Sequence, residues 1–410
     1  MPTLPLGLAC VAAATRRAGH DVELVDLMGE KDAGWIIRDA AERLKPNIIG
    51  ISVRNIDDQN MANPRFLLDQ VRDVLTHCRR VSMAPIVLGG AGFSLFPQSV
   101  LKYLGADMGI QGEGEYSFPL LIQRIQGGHS LSEVPGLYLL DRGLQGNRQF
   151  EKELDQFPLP DLHLLSPSLY EGEDFWVPVQ TRRGCPMRCS YCSTETIEGC
   201  HIRKRSPEDI LRWLHQWVKA GFHRFHFVDN TFNFPPSYAR ALCSRIIEEG
   251  WDAAWRCLLY PGRADEALVK MMARAGCKEV SLGFESGCAR ILKGMNKRFK
   301  KEEIRLTNEL LADNGIHRMG FLLLGGPGET KESVEESLSF VDSLALDILK
   351  VTIGIRIYPH TKLSRIATEE AVIGKDDDLL FPRFYMVKGL EAWARETIDV
   401  WKKDRPNWII

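Results

Sequence analysis

Apolar and polar positions follow two rhythms along this chain. Short apolar runs, as expected of strands buried on both faces, alternate with longer stretches whose apolar residues fall three and four apart, the spacing of one helix face. In the first third, a helical stripe opens at Pro5-Leu6-Gly7-Leu8-Ala9 and closes at Arg17-Ala18-Gly19-His20. A strand is predicted over Asp21 to Asp26 and a helix around Trp35 to Leu44. Strands Ile48 to Val53, Pro85 to Gly90 and Asp107 to Gly112 then alternate with helices Pro64 to Arg80 and Pro97 to Leu104. Alternation of this kind predicts a parallel sheet covered by helices, whose ligands bind beyond the carboxyl ends of the strands.

From Val177 the same alternation resumes with a longer period. Strands are predicted at Val177 to Thr181, Arg224 to Val228, Ala253 to Tyr260, Glu279 to Phe284, Met319 to Leu324 and Leu349 to Tyr358. Helices separate them at Pro207 to Ala220, Ser237 to Glu249, Asp265 to Ala275, Lys301 to Asn314 and Lys331 to Leu344. Ser206-Pro207-Glu208 and Thr330-Lys331-Glu332-Ser333 are start signals, and Gly276 and Gly315 are stops. Loop-rich text, including Phe157-Pro158-Leu159-Pro160-Asp161, joins the two halves. The division expected is a first domain over 1–133, a linker over 134–172, a second domain over 173–365 and a closing segment with a helix over 366–410.

Composition changes this picture little. A length of 410 residues suits two to three domains, and 44% hydrophobic with 26% charged residues is ordinary for a globular chain. A net charge of −2 gives no general attraction to nucleic acid or anionic membrane. No apolar stretch approaches the ~20 residues of a membrane helix. The run Leu4 to Ala14 has no basic residue before it and reads as a buried helix of a cytoplasmic protein.

Three of the ten cysteines change it greatly. Cys185, Cys189 and Cys192 stand at C-x3-C-x2-C spacing in Arg182-Arg183-Gly184-Cys185-Pro186-Met187-Arg188-Cys189-Ser190-Tyr191-Cys192. Three thiolates from one tight loop can hold three corners of a [4Fe–4S] cubane and leave the fourth iron open. A zinc loop that recruits a distant His, or three unrelated cysteines of a cytosolic protein, are the alternatives on spacing alone.

With Tyr191 before its last cysteine, the triplet resembles the radical S-adenosylmethionine (SAM) superfamily. The resemblance implies a (β/α)6 partial TIM barrel in which SAM chelates the open iron and is cleaved to a 5′-deoxyadenosyl radical. At the strand ends it implies SAM contacts from Tyr191, Asp229, Arg256, Glu285, Ser286, Gly326 in Gly325-Gly326-Pro327-Gly328, and Arg356. Tyr358 and His360, just past the sixth strand, are candidate substrate-facing groups.

The first domain is similar to the Rossmann-like (flavodoxin-like) cobalamin-binding domain of cobalamin-dependent radical SAM enzymes. Its usual first strand is absent, as is the Asp-x-His-x-x-Gly motif that supplies a cobalt ligand elsewhere. Candidate cobalamin contacts are the strand-end residues Ser52, Arg54, Asn55, Gly89, Gly90, Gly112, Glu113 and Glu115, with Arg54 and Asn55 facing the lower side of cobalt. The tail Asp376 to Tyr385 resembles the segment that closes the barrel in this branch.

Cobalamin-dependent methylation of an unactivated carbon in a small molecule is the activity this implies, with an electron from flavodoxin or ferredoxin. Radical cyclisation, rearrangement or oxidation, with or without cobalamin, is the second reading. A cobalamin or Fe–S binding protein without turnover is the third.

Overall fold

The computed structural model describes residues 4–28, 32–160, 162–165 and 175–410. In the first domain, strands β1 (Ile49–Ser52), β2 (Ile86–Gly89) and β3 (Met108–Ile110) run parallel in that order. The sheet continues, antiparallel, into β4 (Leu137–Leu139) and β5 (Gly143–Leu144). Those two strands fall inside the stretch expected to be linker, of which 161 and 166–172 lie outside the described residues, as do 173–174 of the expected barrel domain.

The expected strand Asp21 to Asp26 does not form. Among the described residues nothing pairs with the outer edge of β1, where a preceding strand would lie, so the segment has no ladder to join. Arginine side chains hold it instead. Arg16 donates to the Val22 carbonyl at 2.9 Å, and Arg43 pairs with Glu23 at 2.6 Å.

The second domain begins with β6 (Val177–Val179), followed by a hairpin of β7 (Arg182–Arg183) and β8 (Arg203–Lys204). Strands β9 (Arg224–Phe227), β10 (Ala254–Leu259), β11 (Cys277–Glu285), β12 (His317–Leu324) and β13 (Ile348–Ile353) complete six parallel barrel strands. Period-two burial builds the wall. Along β10, Trp255, Cys257 and Leu259 are buried in the core shared with the helices, while Ala254, Arg256 and Leu258 occupy the other face. Helix Pro207–Lys219 starts where its sequence signal says, with Ser206 accepting from the Asp209 N–H, and buries Ile210, Leu211, Trp213, Leu214 and Trp217.

The expected sixth strand, Leu349 to Tyr358, breaks at Gly354, whose φ of 80° turns the chain out of the sheet. Beyond it β14 (Ile355–Arg356) pairs with β15 (Phe384–Tyr385) from the tail. The chain ends on β16 (Trp408–Ile409), which adds a seventh parallel strand beside β13. One hydrophobic cluster joins Val53, Leu88 and Phe96 of the first domain to Met295, Ile355, Leu363 and Leu380 of the second. The carboxyl ends of both sheets therefore face a shared interior.

Candidate active site at the domain junction

The cysteine loop leaves β7 and is gripped from both sides. Gly184 has a φ of 85°, and a Cβ there would stand 2.1 Å from the His201 carbonyl oxygen, so only glycine fits before Cys185. Asn296 donates its Nδ2 to the carbonyls of Met187 at 3.1 Å and Arg188 at 2.7 Å, and the Ser190 N–H donates to the Met295 carbonyl at 3.0 Å. Glu198 accepts from the Gly184 N–H at 3.1 Å and from Asn230 Nδ2 at 2.6 Å. Thr194 links Asn230 to Cys192, whose Sγ lies 3.2 Å from its hydroxyl.

The three thiols are close enough that charge on one acts on the others. Burial, then the charges of Cys192 and Cys189, pushes the Cys185 thiol up to about 11. Among the described residues no three His, Cys, Asp or Glu side chains converge as they would on a single ion. A cubane asks for something different, one thiolate per iron, and a loop of three thiols with glycine at its base fits it.

Of the expected SAM contacts, the structure gathers Tyr191, Glu285 and Gly326 around this loop. The Tyr191 hydroxyl lies near the Glu285 carboxylate, and burial followed by that charge pushes it well above its ordinary value. Glu285 closes β11 with a φ of 69°, a conformation costly for a side chain and often kept at functional sites. Lys297 pairs with it at 3.2 Å. Gly326 lies against Ile355 and Met295, its turn closed by Glu329, which accepts from the N–H groups of Gly325 and Gly326.

Four others sit elsewhere. Asp229 is buried and accepts from the N–H groups of Thr181 at 2.7 Å and Arg182 at 3.0 Å, from the Thr181 hydroxyl at 2.6 Å, and pairs with Arg182 Nε at 3.3 Å. Those contacts use the four acceptor positions of a carboxylate, so it holds the strand end together and has none to spare for an ammonium. Arg256 stands opposite Glu279 in register, six residues before Glu285, or about 20 Å down the barrel. It lies over Trp176 at 4.7 Å, away from the mouth. Ser286 is buried, with its hydroxyl 3.0 Å from that of Ser337 and accepting from the Cys288 N–H. Arg356 points into the domain junction. Its Nε donates to Asp57 at 2.8 Å, and its other nitrogens donate to the carbonyls of Ile357, Leu379 and Leu380.

Tyr358 lies between Phe96 and Arg356, with burial, then the charge of Asp57, pushing its hydroxyl up to about 12. It is near enough to Cys192 to feel that thiol's charge, so it belongs to the shared interior. His360 is exposed with a φ of 63°.

The cobalamin candidates divide in the same way. Ser52, the last residue of β1, and Arg54 and Asn55 beyond it are exposed, and a Cβ on Gly89 would meet nothing within 4 Å. Open polar strand ends with a bare backbone fit a large flat ligand. Gly90, with a φ of 93°, is required by something else, because a Cβ there would stand 2.7 Å from the Val53 carbonyl oxygen. Gly112 lies under Arg148, whose Cδ would be 3.1 Å from a Cβ.

Glu113 and Glu115 are corrected outright, because they are buried in ion pairs with the barrel. Arg183 meets Glu113 at 3.0 Å and Glu115 at 2.5 Å, and Arg203 meets Glu113 at 2.5 Å. Burial pushes Glu115 upward, but the charge and hydrogen bond of Arg183 outweigh it and hold its carboxyl below the usual range.

Sequence reasoning passed over Lys297, Asn230, Asn296, Glu198 and Asp57. None carries a spacing signal, though Asn230 directly follows a residue that was singled out.

An open barrel with a three-cysteine loop beyond its first strand, facing the strand ends of a parallel α/β domain, defines a class. The family model "Radical SAM superfamily" matches residues 179–341, and "B12 binding domain" matches residues 2–122. The chain belongs to the radical SAM enzymes that carry a B12-binding domain, and its cofactors are a [4Fe–4S] cluster, SAM and cobalamin.

Uncharacterized methyltransferase PH0819 of Pyrococcus horikoshii is 28% identical over 88% of this chain and 77% of its own length. Tryptophan 2-C-methyltransferase of Streptomyces laurentii is 25% identical over 90% and 73%. Cytidylyl-2-hydroxyethylphosphonate methyltransferase of Streptomyces wedmorensis is 27% identical over 83% and 73%. The solved structure of the methyltransferase TsrM from Kitasatospora setae, with cobalamin and a [4Fe–4S] cluster bound, has the same fold. Its TM-score is 0.90 at 22% identity, over 100% of this chain and 90% of that one.

Proposed function

We propose that this chain is a cobalamin-dependent radical SAM methyltransferase acting on a small molecule. One observation carries the reading: Tyr191 of the cysteine loop and Tyr358 pack against the same buried cluster as Val53 and Leu88, whose strand ends also carry the exposed Ser52, Arg54 and Asn55. Three methyltransferases similar to this chain over most of its length support it. When bound, the cluster and SAM supply a one-electron route to hydrogen abstraction, and cobalamin supplies a methyl group.

The chain's own residues do the rest. Cys185, Cys189 and Cys192 hold three irons. Glu285 and Tyr191 would orient SAM, the Glu285 carboxylate offering acceptors to ribose hydroxyls and Gly326 a bare backbone to the adenine. Ser52, Arg54, Asn55 and Gly89 would hold the corrin, with Arg54 and Asn55 the candidates for its lower side. Tyr358 lines the substrate space between the two cofactors. The electron comes from a flavodoxin- or ferredoxin-like donor.

The test is anaerobic purification with cobalamin present, followed by iron and corrinoid analysis. About four irons, as in a cubane, and one corrinoid per chain are expected. The Cys185→Ala, Cys189→Ala, Cys192→Ala variant should lose the iron. Iron retained in that variant would overturn the site, and a full cluster without corrinoid would overturn methyl transfer.

A further inference from the structure

Three consecutive residues after helix Ala289–Gly294 face the cysteine loop, and two of them have an evident task. The Met295 carbonyl accepts from the Ser190 N–H, and the Asn296 amide holds two loop carbonyls. Lys297 is the third. Its Nζ donates to the Gly283 carbonyl at 2.9 Å and to Glu285 Oε1 at 3.2 Å, and its side chain is only 4% exposed. It lies 5.6 Å from the ring centre of Tyr191 and 5.9 Å from that of Phe299. An unbranched apolar side chain would fill that space without the cost of several kcal/mol that burying an ammonium carries. Packing alone does not explain a lysine here.

We infer that Lys297 is a positioning residue that supplies the local counter-charge of the cluster, raising the potential at which the cluster accepts its electron. The inference rests on the cluster assignment above. Glu285 neutralises Lys297, so the pair is neutral as a whole. The ammonium lies against Tyr191, which stands between Cys189 and Cys192 in the loop, and its chain neighbours Met295 and Asn296 hold the loop backbone. Reduction takes the cluster from 2+ to 1+ with one electron from an external low-potential donor and adds one negative charge to the site. A fixed cation in a medium of low dielectric stabilises the reduced form more than the oxidised one. By tying Gly283 to Glu285, the same ammonium also holds the left-handed conformation that aims the Glu285 carboxylate at Tyr191.

The test is a redox titration of the reconstituted protein without SAM, followed by the electron paramagnetic resonance signal of the reduced cluster. Iron is measured first, and a wild-type chain with no cluster would sink the function proposed above rather than this inference alone. At equal iron content, Lys297→Met is expected to shift the midpoint negative and Glu285→Gln to shift it positive. Lys297→Arg should stay near wild type, and the double variant should return toward it. Should Lys297→Met fail to fold, the double variant must still lie negative of Glu285→Gln, since the two differ only in the lysine. An unchanged midpoint in Lys297→Met, or a double variant equal to Glu285→Gln, would overturn the inference.

Discussion

Asp57 and Arg356, 299 positions apart, meet at 2.8 Å with side chains 1% and 2% exposed. The contact ties the loop after the first domain's first strand to the last turn of the barrel wall. Leu379 and Leu380 of the tail accept from the same guanidinium, so one side chain fastens three segments around the shared interior.

Removing one partner leaves the other buried and unpaired. Asp57→Ala is expected to destabilise the protein by about 3–5 kcal/mol, and adding Arg356→Met should recover most of that loss. Chemical unfolding of the two single variants and the double variant measures it.

The Glu113–Arg183–Arg203 cluster joins the two domains immediately before the cysteine loop. Glu113→Gln would leave the two buried guanidinium groups without their shared carboxylate, with Glu115 still paired to Arg183. A loss on the order of 3 kcal/mol is expected, together with lower iron retention after desalting, because Arg183 precedes Gly184 and Cys185.

Glu329 gives a pH dependence. Burial outweighs the two N–H groups it accepts from and pushes its carboxyl from 4.5 up to about 7. The protonated form is the one the fold favours. Its contribution is therefore complete below about pH 4.5 and lost as pH rises through about 7. Glu329→Gln keeps an acceptor for both N–H groups and carries no charge. Its thermal midpoint should match wild type near pH 5 and exceed it at pH 8, by an amount reflecting up to about 3 kcal/mol. Parallel pH profiles for the two proteins would contradict this.

Asp229 separates scaffold from ligand contact. Asp229→Asn weakens the hold on buried Arg182, and a lower unfolding midpoint is expected. The folded protein that remains should bind SAM with unchanged affinity. A tenfold weaker dissociation constant at equal folded protein and iron would restore the ligand role suggested by its strand-end position.

Gly354 and Met61 are coupled by contact. A Cβ at Gly354 would stand 2.2 Å from Met61 Sδ, and its φ of 80° disfavours any side chain. Gly354→Ala should cost more alone than with Met61→Ala, and the excess over about 1 kcal/mol of backbone strain should vanish in the pair.

Much of this protein was legible in its sequence because it depends on local rules. Strand–helix rhythm located all six barrel strands, and the cap at Ser206 located the start of its helix. The spacing of Cys185, Cys189 and Cys192 pointed to a cluster, since one loop must supply all three thiolates whatever surrounds it, and the family resemblance of the loop with Tyr191 separated it from a zinc site. Position at a strand end was a weaker guide. It singled out Glu285, but it cannot say whether a polar side chain faces ligand, scaffold or the other domain. Asp229, Ser286, Arg356, Glu113 and Glu115 all stand at strand ends, yet each is spent on a partner far away in the chain. The segment Asp21 to Asp26 has strand-like residues but, among the described residues, no neighbouring strand to complete its hydrogen bonds. Sequence by itself determined most of the barrel's elements and the cluster loop. Tertiary structure alone decided how the buried charges are paired, because such pairing joins groups that are distant in sequence and meet only when two domains close over one core.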